Sequence, residues 1–421
     1  MTSDISVRTA PRDVAVVGAG MVGLATAWFL QERGVSVTVV DRHGVAAGAS
    51  WGNAGWLTPG LATPLPEPAV LRYGVRAMLS PSSPVYVPPR PDPRLVSFLG
   101  RFARNSTAAR WRRAMDALVP INRRSLAAFD RLAAGGVEAV THDAAPFLVA
   151  YRNEGERAPF LEELDHIRAA GQDIEFDTLT GSQAREIEPL LAPSVGAAVR
   201  LHGQRFIDPG DYVHQLAEAV RSRGARIITG HAVTRVRDSA DSVVIETSDR
   251  VERTFDTVVL ATGAWLGQHA RRFGVRTIVQ AGRGYSFSVK IDRIPAGPLY
   301  FPAQRVACTP LGDRLRIAGM MEFRSADAAL DHRRITAITD AVRPLLRVAD
   351  LDNRADEWVG PRPCTPDGLP LIGRTNSRRV FAAGGHGMWG ITLGPATGEL
   401  LAELMTSGRT PAELAPFSPT R

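Results

Sequence analysis

The fold is decided by DVAVVGAGMVGLATAWFL (Asp13–Leu30) and the VSVTVVD that follows at Val35–Asp41. Residues 13–17 form a short apolar run, the pattern of a strand buried on both faces. Gly18, Gly20 and Gly23 then make a GxGxxG between that strand and a helix. Gly18 allows the tight turn, Gly20 lets a pyrophosphate approach the backbone, and Gly23 lets helix and strand pack closely. The helix N-terminus offers free N–H groups and a positive dipole end to phosphate. Asp41 closes the second strand, where an acid accepts the ribose hydroxyls of FAD or NAD. Strand, glycine turn, helix, strand and acid together predict a dinucleotide site. Only one such fingerprint is present, whereas an enzyme using NAD to reduce a flavin usually needs two. Arg42 and His43, directly after Asp41, keep an NADP reading open.

Composition narrows the rest. The chain has 421 residues, 44% hydrophobic and 22% charged, so two domains are expected. Val14–Leu30 is uncharged, but its glycines argue against a signal peptide or membrane span. No other stretch is long and apolar enough to cross a bilayer. The two cysteines, Cys308 and Cys364, exclude a disulfide framework and a CxxC motif, and point to a reducing, cytoplasmic setting. The net charge is +7, and Lys290 is the only lysine among 50 cationic residues. That bias suggests nucleic acid or a membrane face, yet no aromatic–basic stacking motif or helix-turn-helix supports nucleic-acid binding. Arg72 and Arg76, beside Val70, Leu71, Val75 and Met78 on a short helix expected near 69–79, keep peripheral contact with the inner face of a membrane open. The alternative is a helix covering the active site.

Further along, the proline-dense stretch from Pro59 to Pro93 predicts an ordered irregular excursion. Residues 94–134 read as helical. Strands are expected at 147–151, 226–229, 243–246 and 257–260, then through most of 277–318, with helices near 156–170, 182–187, 211–223 and 328–347. The chain ends on a strand at 380–383 and a helix at 396–405. Nucleotide-type elements therefore stand at the start, middle and end, with strand-rich insertions between. The expected fold is α/β: a discontinuous Rossmann-type FAD-binding domain with an interleaved α+β substrate domain built on a mainly antiparallel sheet. The expected divisions are 1–65, 208–275 and 356–421 for the first, and 66–207 and 276–355 for the second.

A second small-residue run, AAGASWGNAG (Ala46–Gly55), follows Asp41 closely. Small residues are needed where backbone lies against a pyrophosphate or a planar ring. At this point the sequence resembles the FAD-dependent D-amino-acid oxidase superfamily, in its D-amino-acid dehydrogenase small-subunit and glyphosate oxidoreductase branch. The carrying motifs are VVGAGMVGLATAWFL, GASWGNAGWLTPG, GRGYSFSV, GPRPCTPDGLPLIG and GGHGMWGITLGPATGELLAELM, spread in family order from residue 16 to residue 405.

The resemblance implies non-covalent FAD. It implies cofactor contacts from Gly18, Ala19, Gly20, Met21, Val22, Gly23, Asp41 and Arg42. It adds Ala49, Ser50, Asn53, Ala54, Gly55 and Leu57 in the second run, then Val233, Ala261, Thr262, Gly263 and Trp265. Gly360, Gly385, His386, Gly387, Gly390, Ile391 and Thr392 complete the set. Arg362, fixed between two prolines, is expected to clamp a substrate carboxylate, since a guanidinium donates two parallel charge-assisted bonds. The alternative is an arginine capping a turn. Arg283 is expected as a second carboxylate contact, and Tyr285 as either a pocket residue or a core aromatic. His386 is expected to touch flavin or substrate, or to stay neutral on the backbone. No metal site is expected. The helix placed at 396–405, with Glu399 in its first turn, would stabilise reduced flavin.

The implied reaction is oxidation of the Cα–N bond of a D-amino acid by hydride transfer to flavin N5. The imine then hydrolyses to a 2-oxo acid and ammonia, and a quinone-type carrier or oxygen takes the electrons. Some oxidases place a lysine over the flavin, and only Lys290 is available, which favours a dehydrogenase. Trp389 stands where sarcosine-oxidase relatives have a lysine, which disfavours N-methylglycine. Trp51, Trp56 and Trp389 keep a bulkier substrate open, such as an N-substituted glycine, a cyclic imino acid or a secondary-metabolite intermediate.

Overall fold

The structure is a computed structural model that describes residues 10–68, 83–87, 92–348 and 350–421. The helix expected near 69–79, with Arg72 and Arg76, lies outside the described residues. Asp13–Val17 is the centre of a six-stranded sheet. Its order is Arg226–Ile228, Ser36–Val40, Asp13–Val17, Thr257–Leu260, Val380–Gly384 and Leu371–Arg374. Only the last pair is antiparallel. The apolar run is explained by burial on both faces. Val14 and Val16 join a core with the helices Met21–Gln31, Pro209–Ser222, Ala108–Ala134 and Gly390–Ser407. Ala15 and Val17 point the other way, into a core shared with the small antiparallel sheet Val233–Asp238, Val243–Thr247 and Glu252–Phe255.

A second, nine-stranded sheet has the order Arg354–Cys364, Gln280–Lys290, Arg314–Phe323, Val306–Leu311, Leu299–Phe301, Phe147–Tyr151, Ala197–Leu201 and Phe176–Thr180. Val85–Tyr86 pairs with Met321–Glu322 off that path. The pairing is antiparallel except at Leu299–Phe301 with Phe147–Tyr151 and at Val85–Tyr86. The boundary expected at 356 falls inside the strand Arg354–Cys364, which belongs to this sheet.

Two expectations change. Residues 94–134 form two helices, Pro93–Asn105 and Ala108–Ala134. Asn105-Ser106-Thr107 divides them: the Ser106 hydroxyl donates to Phe102 O at 2.9 Å beside the Ser106 N–H, and Thr107 caps the second helix. The last helix runs over Gly390–Ser407, six residues earlier than expected, with Pro395 inside it. Packing against Met21–Gln31 and Ala108–Ala134 overrides the proline. Glu399 therefore sits mid-helix, paired with Arg131 at 2.5 Å, and is not in the first turn.

Candidate active site

A cavity opens where the central strands end. It is lined by the glycine turn (Gly18, Gly20, Met21, Val22), by Asp41–His43, by Ala47–Ser50 with Asn53, and by Ala232, Val233 and Ala261–Trp265. Pro361, Arg362 and Pro363 enter from the large sheet, and His386, Gly387, Met388, Gly390 and Ile391 from the start of the last helix.

Two long helices begin at this cavity. Six described helices receive a side-chain bond at their N-termini, from Asp92, Thr107, Asn153, Thr180, Asp208 and Asp331. Met21–Gln31, Gly390–Ser407 and the short helix Leu266–Ala270 have no cap from the side chain of the N-cap residue. The first residues of the two long helices line the cavity, so their positive dipole ends face it. A pyrophosphate and an electron-rich ring are the partners these ends lack. The tight turn that delivers the first helix requires glycine: Gly18 has φ +117, and a Cβ there would lie 2.4 Å from Ala261 O.

Asp41 ties the nucleotide end together. Its Oδ2 accepts from Ala19 N at 2.9 Å, and its Oδ1 from His43 N at 2.8 Å and Gly44 N at 3.0 Å. Ser50 Oγ accepts from Met21 N at 3.3 Å, so the second small-residue run lies on the glycine turn. The donor set and the backbone-lined floor fit FAD: an acid for ribose, two helix ends for anionic groups, and little side-chain bulk between.

Arg362 stands at the other end. Its register partner is Gly282, and its guanidinium lies flat across Gly284, where a Cβ would be 2.2 Å from Cζ. Nη1 donates to Met320 O at 2.6 Å. That carbonyl is aimed by a bulge. A step of two residues from Arg283 to Tyr285 is matched by a step of three on the partner strand, from Glu322 to Gly319, and Met320 takes φ +66. Among the described residues no carboxylate lies within ion-pair distance of Arg362. Burial pushes its pKa below the ordinary arginine range, only partly offset by Cys364. A desolvated cation without a counter-ion, facing a cavity, is a binding element for an anion.

Arg283 and Tyr285 are not brought to the cavity. Successive strand residues face opposite ways, so both point to the far side of the sheet from Arg362. Arg283 is fully buried and bonds Glu322 at 3.1 Å, with Nη2 donating to Ala328 O and Ala329 O. The Tyr285 hydroxyl donates to the same carboxylate at 2.6 Å, and burial together with that bond raises its pKa. Both terminal nitrogens of Arg283 are therefore engaged by protein, on the side of the sheet away from the cavity.

His386 lines the cavity from beneath and is 3% exposed. Its Nε2 lies 2.9 Å from Thr397 Oγ1, and burial pushes its pKa down to about 4, so the ring is neutral near pH 7.

Other expected contacts lie just behind the lining. Ala19 and Gly23 are inside the turn, and a Cβ on Gly23 would meet Gly18 O at 1.9 Å. Ala54 O accepts from Thr309 Oγ1, Gly55 O from Ile207 N, and Leu57 is buried. Gly360 faces Trp358, Gly385 backs onto Thr365, and Thr392 Oγ1 donates to Trp56 O. Trp51, Trp56 and Trp389 do not line the cavity. Trp56 Nε1 donates to Thr309 and Trp389 Nε1 to Thr63 O, while Trp51 stacks under Arg316. Pro361, Pro363, Met388, Gln268 and His269 line it without having been singled out. The prolines were visible beside Arg362 in the motif, whereas nothing in the sequence marked Gln268 or His269.

Comparison with known proteins agrees with this geometry. Residues 13–404 match the model of the FAD dependent oxidoreductase (DAO) family. A D-amino acid dehydrogenase of Rhizorhabdus wittichii is 29% identical over 417 residues, covering 95% of this chain and 97% of that protein. One of Methylobacterium radiotolerans is 31% identical over 415 residues, covering 94% and 96%. The crystal structure of glycine oxidase from Geobacillus kaustophilus superposes with a TM-score of 0.74 at 24% identity, covering 98% of this chain and 99% of that one. The chain belongs to the DAO family of FAD-dependent oxidoreductases.

Proposed function

We propose that this FAD-dependent oxidoreductase oxidises the Cα–N bond of a D-amino acid, with the substrate carboxylate on Arg362. The observation that carries the reading is that guanidinium, desolvated, held by Met320 O, free of any described acid and turned into the cavity. The carboxylate supplies the missing counter-charge in bidentate geometry. The names of the curated relatives support the D-amino-acid class.

Bound FAD supplies the hydride acceptor. The protein aligns the reacting carbon. Arg362 fixes one end of the substrate, while Met320 O and the face of Gly284 fix Arg362. Neutral His386 adds no charge that would compete for the carboxylate. The uncapped end of Gly390–Ser407 favours charge gained by the cofactor during reduction. The substrate amine gives up its proton to solvent before oxidation, and the imine product hydrolyses to a 2-oxo acid and ammonia.

Cys308 and Cys364 are buried and do not line the cavity, which supports a non-covalent cofactor. Lys290 is exposed, 3.6 Å from Asp313, at the opposite end of its strand from Gly282 and Gly284. This supports a quinone-type acceptor in place of lysine-assisted reaction with oxygen. No described helix is long and apolar enough to cross a membrane.

The test is anaerobic mixing of the purified yellow protein with D-alanine, D-phenylalanine, D-proline, glycine and the L-enantiomers. Bleaching by D-amino acids, followed by slow recovery in air and fast recovery with a quinone analogue, is expected. Bleaching by none of the free amino acids would falsify the reading.

A further inference from the structure

Asp327 sits in the segment 324–331, between the strand Arg314–Phe323 and the helix His332–Val342. It does not line the cavity, yet it holds two residues that do. Its Oδ1 accepts from Arg42 Nη2 at 2.9 Å and from Trp265 Nε1 at 3.1 Å. Its Oδ2 is 3.2 Å from the same indole nitrogen. The Arg42 guanidinium in turn lies 3.7 Å over the Trp265 ring. Arg42 follows Asp41 at the nucleotide end, and Trp265 closes the segment after the strand Thr257–Leu260. One carboxylate from the large-sheet side thus joins two cavity-lining segments of the nucleotide sheet.

The segment that presents Asp327 is itself anchored. Arg283 Nη2 donates to Ala328 O at 2.6 Å and Ala329 O at 2.9 Å, and Gln280 Nε2 donates to Arg324 O at 3.1 Å. Buried side chains of the strand Gln280–Lys290 therefore fix the backbone on both sides of Asp327. A carboxylate held in this way is a fixed post that Arg42 and Trp265 close against.

We infer that Asp327 is a latch on bound FAD: it holds Arg42 and Trp265 together as a rim over the Asp41 end of the cavity and slows cofactor release. It acts through those two residues and is a positioning residue. The site is exposed enough for salt to reach it, since the side chains of Arg42 and Asp327 are 31% and 58% accessible. The latch is therefore salt-sensitive.

The test is the rate of FAD release from holoenzyme after dilution, read as recovery of flavin fluorescence without substrate. Because no turnover is involved, the result is independent of which substrate the enzyme takes. Asp327→Ala is expected to release FAD about 5-fold faster at low salt. Asp327→Asn, which keeps an acceptor for Trp265, should fall between. Molar salt should bring the wild type close to the alanine variant and leave that variant nearly unchanged. Asp313→Ala, which breaks the exposed pair with Lys290, should release FAD at the wild-type rate. A release rate for both Asp327 variants within twofold of wild type at low salt, or equal acceleration by Asp313→Ala, overturns the latch. If the alanine variant fails to fold, the asparagine variant and the wild-type salt dependence decide in the same way.

Discussion

Arg283 and Arg362 lie on adjacent strands, one residue out of register, and have opposite fates. Arg283 opposes Pro361, while Arg362 opposes Gly282. One side of the sheet packs on the helix His332–Val342, and there Arg283 meets Glu322, Tyr285 and two backbone carbonyls. The other side faces the cavity, and there, among the described residues, Arg362 bonds a carbonyl and meets the thioether of Met321 at 4.0 Å. Identical side chains in one motif-rich region thus become a structural strut and the proposed anion seat. What separates them is which face of a pleated sheet each one takes. A charge satisfied within the protein has nothing left for a ligand, whereas a desolvated charge without a counter-ion has its strongest unmade interaction still to offer.

The largest effect should come from the strut. Arg283→Met leaves buried Glu322 with only Arg324 at 3.6 Å and the Tyr285 hydroxyl, and should cost about 3 kcal/mol of unfolding free energy in urea melts. Adding Glu322→Met should restore most of it, because the pair then leaves no buried charge. A single variant as stable as wild type would break the distinction between the faces. Arg362→Gln should do the reverse. Its melt stays near wild type and the protein stays yellow, while kcat/KM falls about 100- to 1,000-fold, mostly through KM.

Gly284→Ala asks how tightly the seat is built. A methyl group 2.2 Å from Arg362 Cζ must displace the guanidinium, so kcat/KM should drop about 10-fold or more, with a smaller change in melting temperature. A wild-type KM would show that the seat is loose. The last test concerns His386, a buried histidine that also lines the cavity. Its folded pKa of about 4 lies below its ordinary 6.5. As pH falls through 6.5 the unfolded chain takes up a proton that the folded protein refuses, so stability is lost between about pH 6.5 and 4 and levels off below. The loss is on the order of 3 kcal/mol. His386→Gln should remove that part of the acid slope in pH-dependent melts. An unchanged slope would mean that burial does not depress the His386 pKa.

Much of the nucleotide end was legible. The run 13–17 is apolar at every position after Asp13 because both faces are buried, and local pattern carries that information. The GxGxxG and Asp41 lie close in sequence as they do in space, so their pairing needed no tertiary knowledge. The start of the last helix was misread because Pro395 is a strong local signal, and only the packing of two other helices shows that it lies inside the helix. Asp327 gave no signal at all, since its partners are 285 and 62 residues away in sequence.

The sequence by itself determined the dinucleotide motif, the α/β class and the small set of residues from which the site is drawn. Strand alternation implies that Arg283 and Arg362 face opposite ways only once their register is known, and register is a long-range property. The bulge at Met320, the acid opposite Arg283 and the absence of a described acid near Arg362 belong to strands brought together from across the chain. Tertiary structure alone therefore decided which arginine is free, because a charge is free or satisfied according to its neighbours in space.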